Sequence, residues 1–276
     1  MPKKFFLITQ VFYPDEVSTA GLFTVLCEKL VQRGVKVIVW CAQPSYNVRK
    51  KQPSKLIRNG VEIEYLWSTR FKKSSSLGRI LNYFTYSLSL FLRLIVSRSR
   101  EEIFTSTNPP FLGALVALTS MLTNRKFTYI IQDVFPEGLI RVGKLSRKSL
   151  IVYTWNVVNK FALKRSELII VLGRDMKTFL NEYEASIKQK IHVIPIWQDE
   201  ELIQPTDFSA SSFIQEHSLS GKFVVQYSGN MGLWNDMSFF GEAILKFSDP
   251  EIIFTFIGDG IRHRDLLDVW NNRIPA

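Results

Sequence analysis

The chain has 276 residues, 46% of them hydrophobic and 13% aromatic, with a formal net charge of +10. That length carries a prior of two domains or one large one, and the apolar fraction supplies a sizeable core, which excludes a wholly disordered chain. Two cysteines, Cys27 and Cys41, and three scattered histidines, His192, His217 and His263, argue against a disulfide scaffold, a CxxC motif, a clustered metal site and a Ser-His-Asp hydrolase, and they suit a reducing cytosol.

The opening MPKKFF lacks the apolar stretch and cleavage site of a secretory signal and runs into a strand pattern over 5–12, bounded by Tyr13-Pro14-Asp15. Phe23, Leu26, Cys27 and Leu30 then share one helical face, and Gly34 stands where a C′ glycine ends a helix before a strand over 35–40. Strands follow over 61–67, 102–106, 127–132, 168–172 and 192–196, with helical segments near 79–97, 110–123, 147–164 and 174–184. Such alternation predicts an α/β fold with a doubly wound parallel sheet.

Pro205, Thr206, Asp207, Ser209, Ser211 and Ser212 read as a linker. A second αβ pattern has strands over 223–227 and 252–257, a helix near 236–247 and a last helix from about 261. The expected organisation is a complete Rossmann-like domain over 1–200, a linker over 201–221 and a partial Rossmann-like domain over 222–276. Two parallel strands, apolar on both faces, leave much of that surface wet. A small complete subdomain packed on the first is the alternative. The edge of so small a sheet invites self-association or a partner chain through 222–276.

Charge is uneven. Residues 1–200 hold 30 Lys+Arg against 15 Asp+Glu, a balance of +15, and residues 201–276 hold 5 against 10, a balance of −5. A basic first part calls for an anionic partner. No zinc finger, RNP-type run or basic recognition helix is present, so nucleic acid is not expected.

In open α/β sheets ligands bind beyond the carboxyl ends of the strands. After the first strand, Glu16, Ser18 and Thr19 stand near a helix N-terminus suited to a phosphate or sugar; plain N-capping by Ser18 or Thr19 is the competing reading. Asn108 precedes two prolines that open the next helix, a mostly architectural turn. Asp133 and Glu137 put two carboxylates four residues apart, a pair able to orient or deprotonate an acceptor hydroxyl from a cleft; helix capping by Asp133 competes. Gly229, Asn230 and Gly232, and later Gly258-Asp259-Gly260, form turns that let backbone approach a ligand and that tight turns need anyway.

Within 79–97, Asn82, Thr85, Ser89 and Arg93 form a narrow polar stripe, while Leu81, Phe84, Leu88, Phe91, Leu92 and Ile95 cover most of the remainder. With Arg70, Lys72, Lys73 and Arg79 before it, and Arg98 and Arg100 after it, the helix reads either as contact with an anionic membrane surface through Lys72, Lys73 and Arg79 or as ordinary core packing. Arg93 makes it a poor span.

Seven segments in order, FYPDEVSTAGLFTVLCEKLVQRGVKVIVWCAQPSY, TNPPFLGALVAL, YIIQDVFPEGLIRVG, VLGRDMKTFL, VIPIWQDEELIQP, YSGNMGLWNDM and FIGDG, resemble the retaining family 4 glycosyltransferases of GT-B fold, particularly those of bacterial capsule, O-antigen and exopolysaccharide synthesis. The resemblance implies metal-independent transfer, with no cofactor, from a nucleotide-sugar to a lipid-linked or saccharide acceptor at the cytoplasmic membrane face. It puts Glu16 to Thr19 against the acceptor or donor phosphate, Asp133 and Glu137 on the acceptor side, and Gly229, Asn230 and Gly232 toward the diphosphate. Three departures stand out. Ser18-Thr19 replaces a frequent Gly-Gly, Gln132-Asp133 stands where many relatives have histidine, and the family's paired-glutamate donor motif has no counterpart before Ala276. The chain is therefore expected to be truncated in its donor domain and inactive alone. The alternatives are a non-catalytic binding remnant and one half of a split enzyme, with a nucleotide-sugar epimerase as a lesser rival.

Overall fold

The computed structural model of the protein describes residues 4–45, 50–72, 75–197 and 204–271. It contains two compact units, Met1–Ile140 with Leu145–Asp199, and Arg141–Lys144 with Glu200–Ala276.

In chain order the first unit has β1 (Lys4–Ile8), α1 (Ser18–Gln32), β2 (Lys36–Ala42), β3 (Lys55–Arg58), β4 (Val61–Leu66), α2 (Ser76–Val96), β5 (Ile103–Ser106), α3 (Leu112–Thr123), β6 (Phe127–Ile131), α4 (Glu137–Arg141), α5 (Leu150–Arg165), β7 (Leu168–Val171), α6 (Arg174–Tyr183) and β8 (Ile191–Val193). The strands lie in the order β3-β4-β2-β1-β5-β6-β7-β8, parallel throughout except that β3 runs antiparallel to β4. β1, β2 and β6 are predominantly apolar, with Lys4 and Lys36 only at strand starts and Thr128 the one polar residue of β6, because helices cover both faces. On one face Phe23 and Cys27 of α1 meet Leu7, Val37 and Val39, and on the other α2, α3, α5 and α6 cover Phe6, Ile8, Ile103, Phe127 and Ile169. Cys27 and Cys41 are both buried free thiols, and desolvation pushes each well above its usual pKa.

Local details depart from the sequence expectations. The first strand ends at Ile8, not residue 12, because the Thr9 and Gln10 amides donate to Trp40 and Asn108 carbonyls as the chain leaves the ladder; Val11 and Phe12 remain buried. The β3–β4 hairpin was not expected. Its turn is Asn59-Gly60, both at positive φ (45° and 80°), the backbone that a tight hairpin needs and that Asn-Gly supplies. Neither Ser18 nor Thr19 caps α1: the N-cap position is Val17, with no side-chain capping bond.

In α2 the polar stripe turns inward. Asn82 Oδ1 accepts from the Thr69 hydroxyl (2.9 Å) and the Phe71 amide (3.0 Å), Asn82 Nδ2 donates to the Phe71 carbonyl (3.1 Å), and Arg93 pairs with Glu64 (2.8 Å) over the Trp40 ring. Tyr86, Leu90 and Leu94 are fully buried beside that stripe, whereas Leu81, Phe84, Leu88, Leu92 and Ile95 are exposed. Core packing of that apolar face, one of the two expectations, is not what the unit shows. Lys72 and Arg79 are exposed near the start of α2, and Lys73 lies outside the described residues. Among the described residues no helix is long and apolar enough to cross a membrane.

The second unit pairs β9 (Phe223–Ser228) and β10 (Ile252–Ile257) in parallel, with α7 (Ser212–Glu216), α8 (Met237–Ile244) and α9 (His263–Asn271). Its small core holds Met231, Met237 and Leu266, while Phe223, Val225, Phe239 and Phe247 are exposed.

Candidate active site

At the carboxyl ends of β5 and β6 a cavity of about 260 Å³ opens between α4, α5 and α6. Its floor is Tyr129 and Ile131 of β6, held against the helix layer where Gly113 of α3 packs so closely on the Tyr129 ring that a Cβ has no room. Its walls include Val134, Phe135, Ile140, Val152 and Leu180, and its polar lining includes three carboxylates, Asp133, Glu137 and Glu182, with Thr107, Arg147, Asn156, Asn159 and Tyr183. An apolar pocket with a handful of convergent polar side chains is the usual form of a ligand site.

Each polar group has a local cause. The buried Thr107 hydroxyl, after β5, accepts the backbone N–H of both Gln132 and Asp133, at 3.2 Å each, and so fixes the turn that presents Asp133. Asp133 does not cap a helix, since α4 begins at Glu137. Its carboxylate stands at the cavity rim, where desolvation raises its pKa, and open solvent on its other side screens part of that penalty. Glu137, in the first turn of α4, receives a 2.7 Å ion pair from Arg147. Asn159 donates to the Phe135 carbonyl (2.6 Å), and Tyr183 donates to Asn156 Oδ1 (2.9 Å), with burial holding the phenol pKa up at about 12. Phe135 stacks on Trp155, and Phe179 on Tyr183, which stiffens two walls.

The cavity thus joins Asp133 and Glu137. Arg147, Asn156, Asn159 and Tyr183, which sequence reasoning missed, sit on α5, α6 and the loop before α5, where apolar periodicity dominates. Glu16, Ser18 and Thr19 lie after β1, with Glu16 and Ser18 exposed, and Asn108 follows β5; none of the four lines this cavity. The β1 end carries another polar group, Gln10, whose buried Oε1 has no partner among the described residues.

In the second unit the expected glycine turns converge. The Gly229 amide donates to the Ile257 carbonyl and the Met231 amide to the Asp259 carbonyl, which brings the loops after β9 and β10 together. At Gly258 (φ +139°) and Gly260 (φ +157°) an added Cβ would strike the carbonyls of Gly229 and Met231, so these two glycines are required by loop-on-loop contact. Gly229 (φ +149°) faces open space. The Asn230 carbonyl accepts from Tyr227 (3.0 Å) and Asn235 (2.8 Å), which fixes the turn at whose far end Gly232 stands.

A larger, mostly parallel Rossmann-like unit and a smaller parallel αβ unit make an α/β fold, and the solved structures it superposes on give that fold as the GT-B glycosyltransferase type. No family model matches the chain. A probable glycosyltransferase of Pseudomonas aeruginosa, WbjE, is 27% identical over 187 residues, which is 68% of this chain and 46% of that protein. The chain therefore spans about half the length of this curated relative. Among solved structures, Anabaena Alr3699/HepE in complex with UDP and glucose superposes with a TM-score of 0.61 at 14% identity, over 98% of this chain and 65% of that one. The catalytic domain of Arabidopsis thaliana starch synthase IV, bound to ADP and acarbose, gives 0.64 at 10% identity, over 99% and 71%. At these identities the likeness is one of fold.

Proposed function

We propose that the chain supplies an acceptor-side unit and a nucleotide-facing unit of a glycosyltransferase of the retaining family 4 kind, transferring a sugar from a nucleotide-sugar to a lipid-linked or saccharide acceptor in surface polysaccharide synthesis. The observation that carries this reading is the strand-end cavity with a partly desolvated Asp133 at its rim and an ion-paired Glu137 beside its apolar walls. In this reading residues 1–200 hold the acceptor, 201–221 connect, and 222–276 face the nucleotide. The acceptor oxygen forms the new bond to the sugar's anomeric carbon, the bond from that carbon to the diphosphate breaks with its electron pair, and the acceptor proton is taken up. Asp133 orients that hydroxyl or accepts its proton, a role suited to a carboxylate of raised pKa, and Glu137, fixed by Arg147, holds a neighbouring hydroxyl. Glu16, Ser18, Thr19 and Asn108 contact the acceptor or a phosphate, and the Gly229, Asn230 and Gly232 turn faces the leaving diphosphate, whose charge is the main thing to stabilise; the Gly229 and Gly232 amides already donate to the Ile257 and Asn230 carbonyls, so in this reading the backbone donor is that of Asn230. The reading includes peripheral attachment at the inner face of the plasma membrane.

Calorimetric titration with UDP-, GDP-, dTDP- and ADP-sugars tests it. Binding of one of them, lost in a Gly229→Val variant, supports the donor assignment, and absence of binding by the folded chain counts against a donor site in 222–276 by itself. The exposed Phe223, Val225, Phe239 and Phe247 favour a second reading, in which a partner chain or a second copy completes the smaller unit. Light scattering that finds only monomer at high concentration rules out the second copy.

A further inference from the structure

Helices α2, α3 and α5 pack side by side over one face of the large sheet. Their inward sides are accounted for by Tyr86, Leu90 and Leu94, by Leu112 and Val116, and by Val152 and Leu163. A surface helix ordinarily turns charge outward. Here the outward sides are apolar as well: Phe84 is 63% exposed, Met121 53% and Val157 53%, with Ile80, Leu88 and Leu122 exposed between and beside them. Arg93, a cation in the middle of α2, is turned inward onto Glu64. None of the three helices contains an Asp or a Glu.

The cations stand around this plane. Lys72 and Arg79 lie at the start of α2, Arg98 just past its end and Lys148 before α5, while Lys164 in the last turn of α5 is paired with Glu184 at 3.2 Å. A contiguous apolar plane without carboxylates and rimmed by Lys and Arg is matched in chemistry by the acyl–headgroup boundary of an anionic lipid leaflet. A second copy of the chain would set these cations against themselves. We infer that α2, α3 and α5 together form a flat docking face for an anionic membrane, laid on the leaflet with no helix inserted across it. The inference deepens the peripheral attachment named above and identifies its surface. It also gives α5 two roles, since Asn156 and Asn159 line the strand-end cavity while Val157, between them in sequence, lies on the membrane plane. An acceptor anchored in the leaflet would then need to cross only the thickness of one helix.

The test is co-sedimentation of the full chain with vesicles of roughly 7:3 phosphatidylcholine to phosphatidylglycerol and with pure phosphatidylcholine vesicles. Phe84→Glu, Met121→Glu and Val157→Glu sample the three helices, and Ile57→Glu, at a 72% exposed apolar residue on β3, is the control. Binding to the anionic vesicles should exceed binding to the neutral ones by about tenfold or more, and each of the three variants should weaken it by about tenfold, while the control keeps it. Serine at the same three positions gives the same ranking if a glutamate variant loses its circular dichroism. No binding by the wild type, or loss in the α2 variant alone, overturns the three-helix face. A vesicle-free dimer that the glutamates dissolve overturns it in favour of a second copy. The readout is lipid binding, so it stands or falls separately from sugar transfer.

Discussion

Thr107→Val is the sharpest probe of how the candidate site is held. The valine keeps the shape of threonine, but the hydroxyl that accepts from the Gln132 and Asp133 amides, at 3.2 Å each, is gone. Thr107 is only 5% exposed, so water does not replace it from the Thr107 side, although Asp133 itself is open to solvent and its amide can be rehydrated. One amide left dry at about 1–2 kcal/mol and a second partly compensated at about 0.5 give a loss of roughly 2 kcal/mol. For a chain of this size that is a fall of about 4–8 °C in the melting temperature of the larger unit. Scanning calorimetry of wild type, Thr107→Val and Thr107→Ser provides the comparison. Serine retains the acceptor and should recover most of the loss. If valine melts with the wild type, the Asp133 turn is not held by this hydroxyl. If serine falls as far as valine, the methyl packing and not the hydrogen bond matters.

Under the proposed transfer role, Asp133→Asn should cut turnover by about 10²–10⁴ while leaving nucleotide-sugar affinity unchanged, as separate kinetic and calorimetric measurements would show. The same variant has a signature in stability. Because the folded-state pKa of Asp133 is raised, its favourable contribution is present below its ordinary value of 3.8 and is lost as pH rises through the raised value. The wild type should therefore lose stability relative to Asp133→Asn on titration upward from pH 3.8, and parallel denaturation curves at all pH values would refute this. Asn82→Ala removes three hydrogen bonds to Thr69 and Phe71 and should cost about 2 kcal/mol in urea unfolding, with earlier proteolysis of the 67–72 segment. In the smaller unit, Gly258→Ala should strip hydrogen-exchange protection from β9 and β10, since a Cβ there meets the Gly229 carbonyl. Gly229→Ala, with space around it, should cost only about 1–2 kcal/mol of backbone strain.

The parallel sheet was legible because its strands are buried on both faces, and a mostly apolar run as short as Phe127–Ile131, closed by polar residues, suits a central strand better than a helix. β3 was not, since the four residues Lys55–Arg58 show no convincing alternation, and only Asn59-Gly60 hinted at a hairpin. Periodicity showed which residues of α2 share a face but not which face turns inward. That was decided by distant partners, Glu64 and the Thr69–Phe71 backbone, which make the polar stripe the buried one. The carboxylates Asp133 and Glu137 were legible because they follow a strand end. Their neighbours Arg147, Asn159 and Tyr183 come from residues 10 to 46 positions beyond Glu137, and only the folded chain brings them to the same cavity.

The sealing of both thiols has a practical side. Cys27 and Cys41 are the chain's only cysteines, both are buried, and both hold their protons far into the alkaline range. Maleimides and spin-label reagents attack thiolates that solvent can reach, so the native protein should be silent toward them without any prior replacement of residues. A cysteine introduced at Phe84, Met121 or Val157 would then be the one labelled atom in the molecule, and a depth-sensitive fluorophore or nitroxide attached there would read immersion position by position on an otherwise unaltered chain.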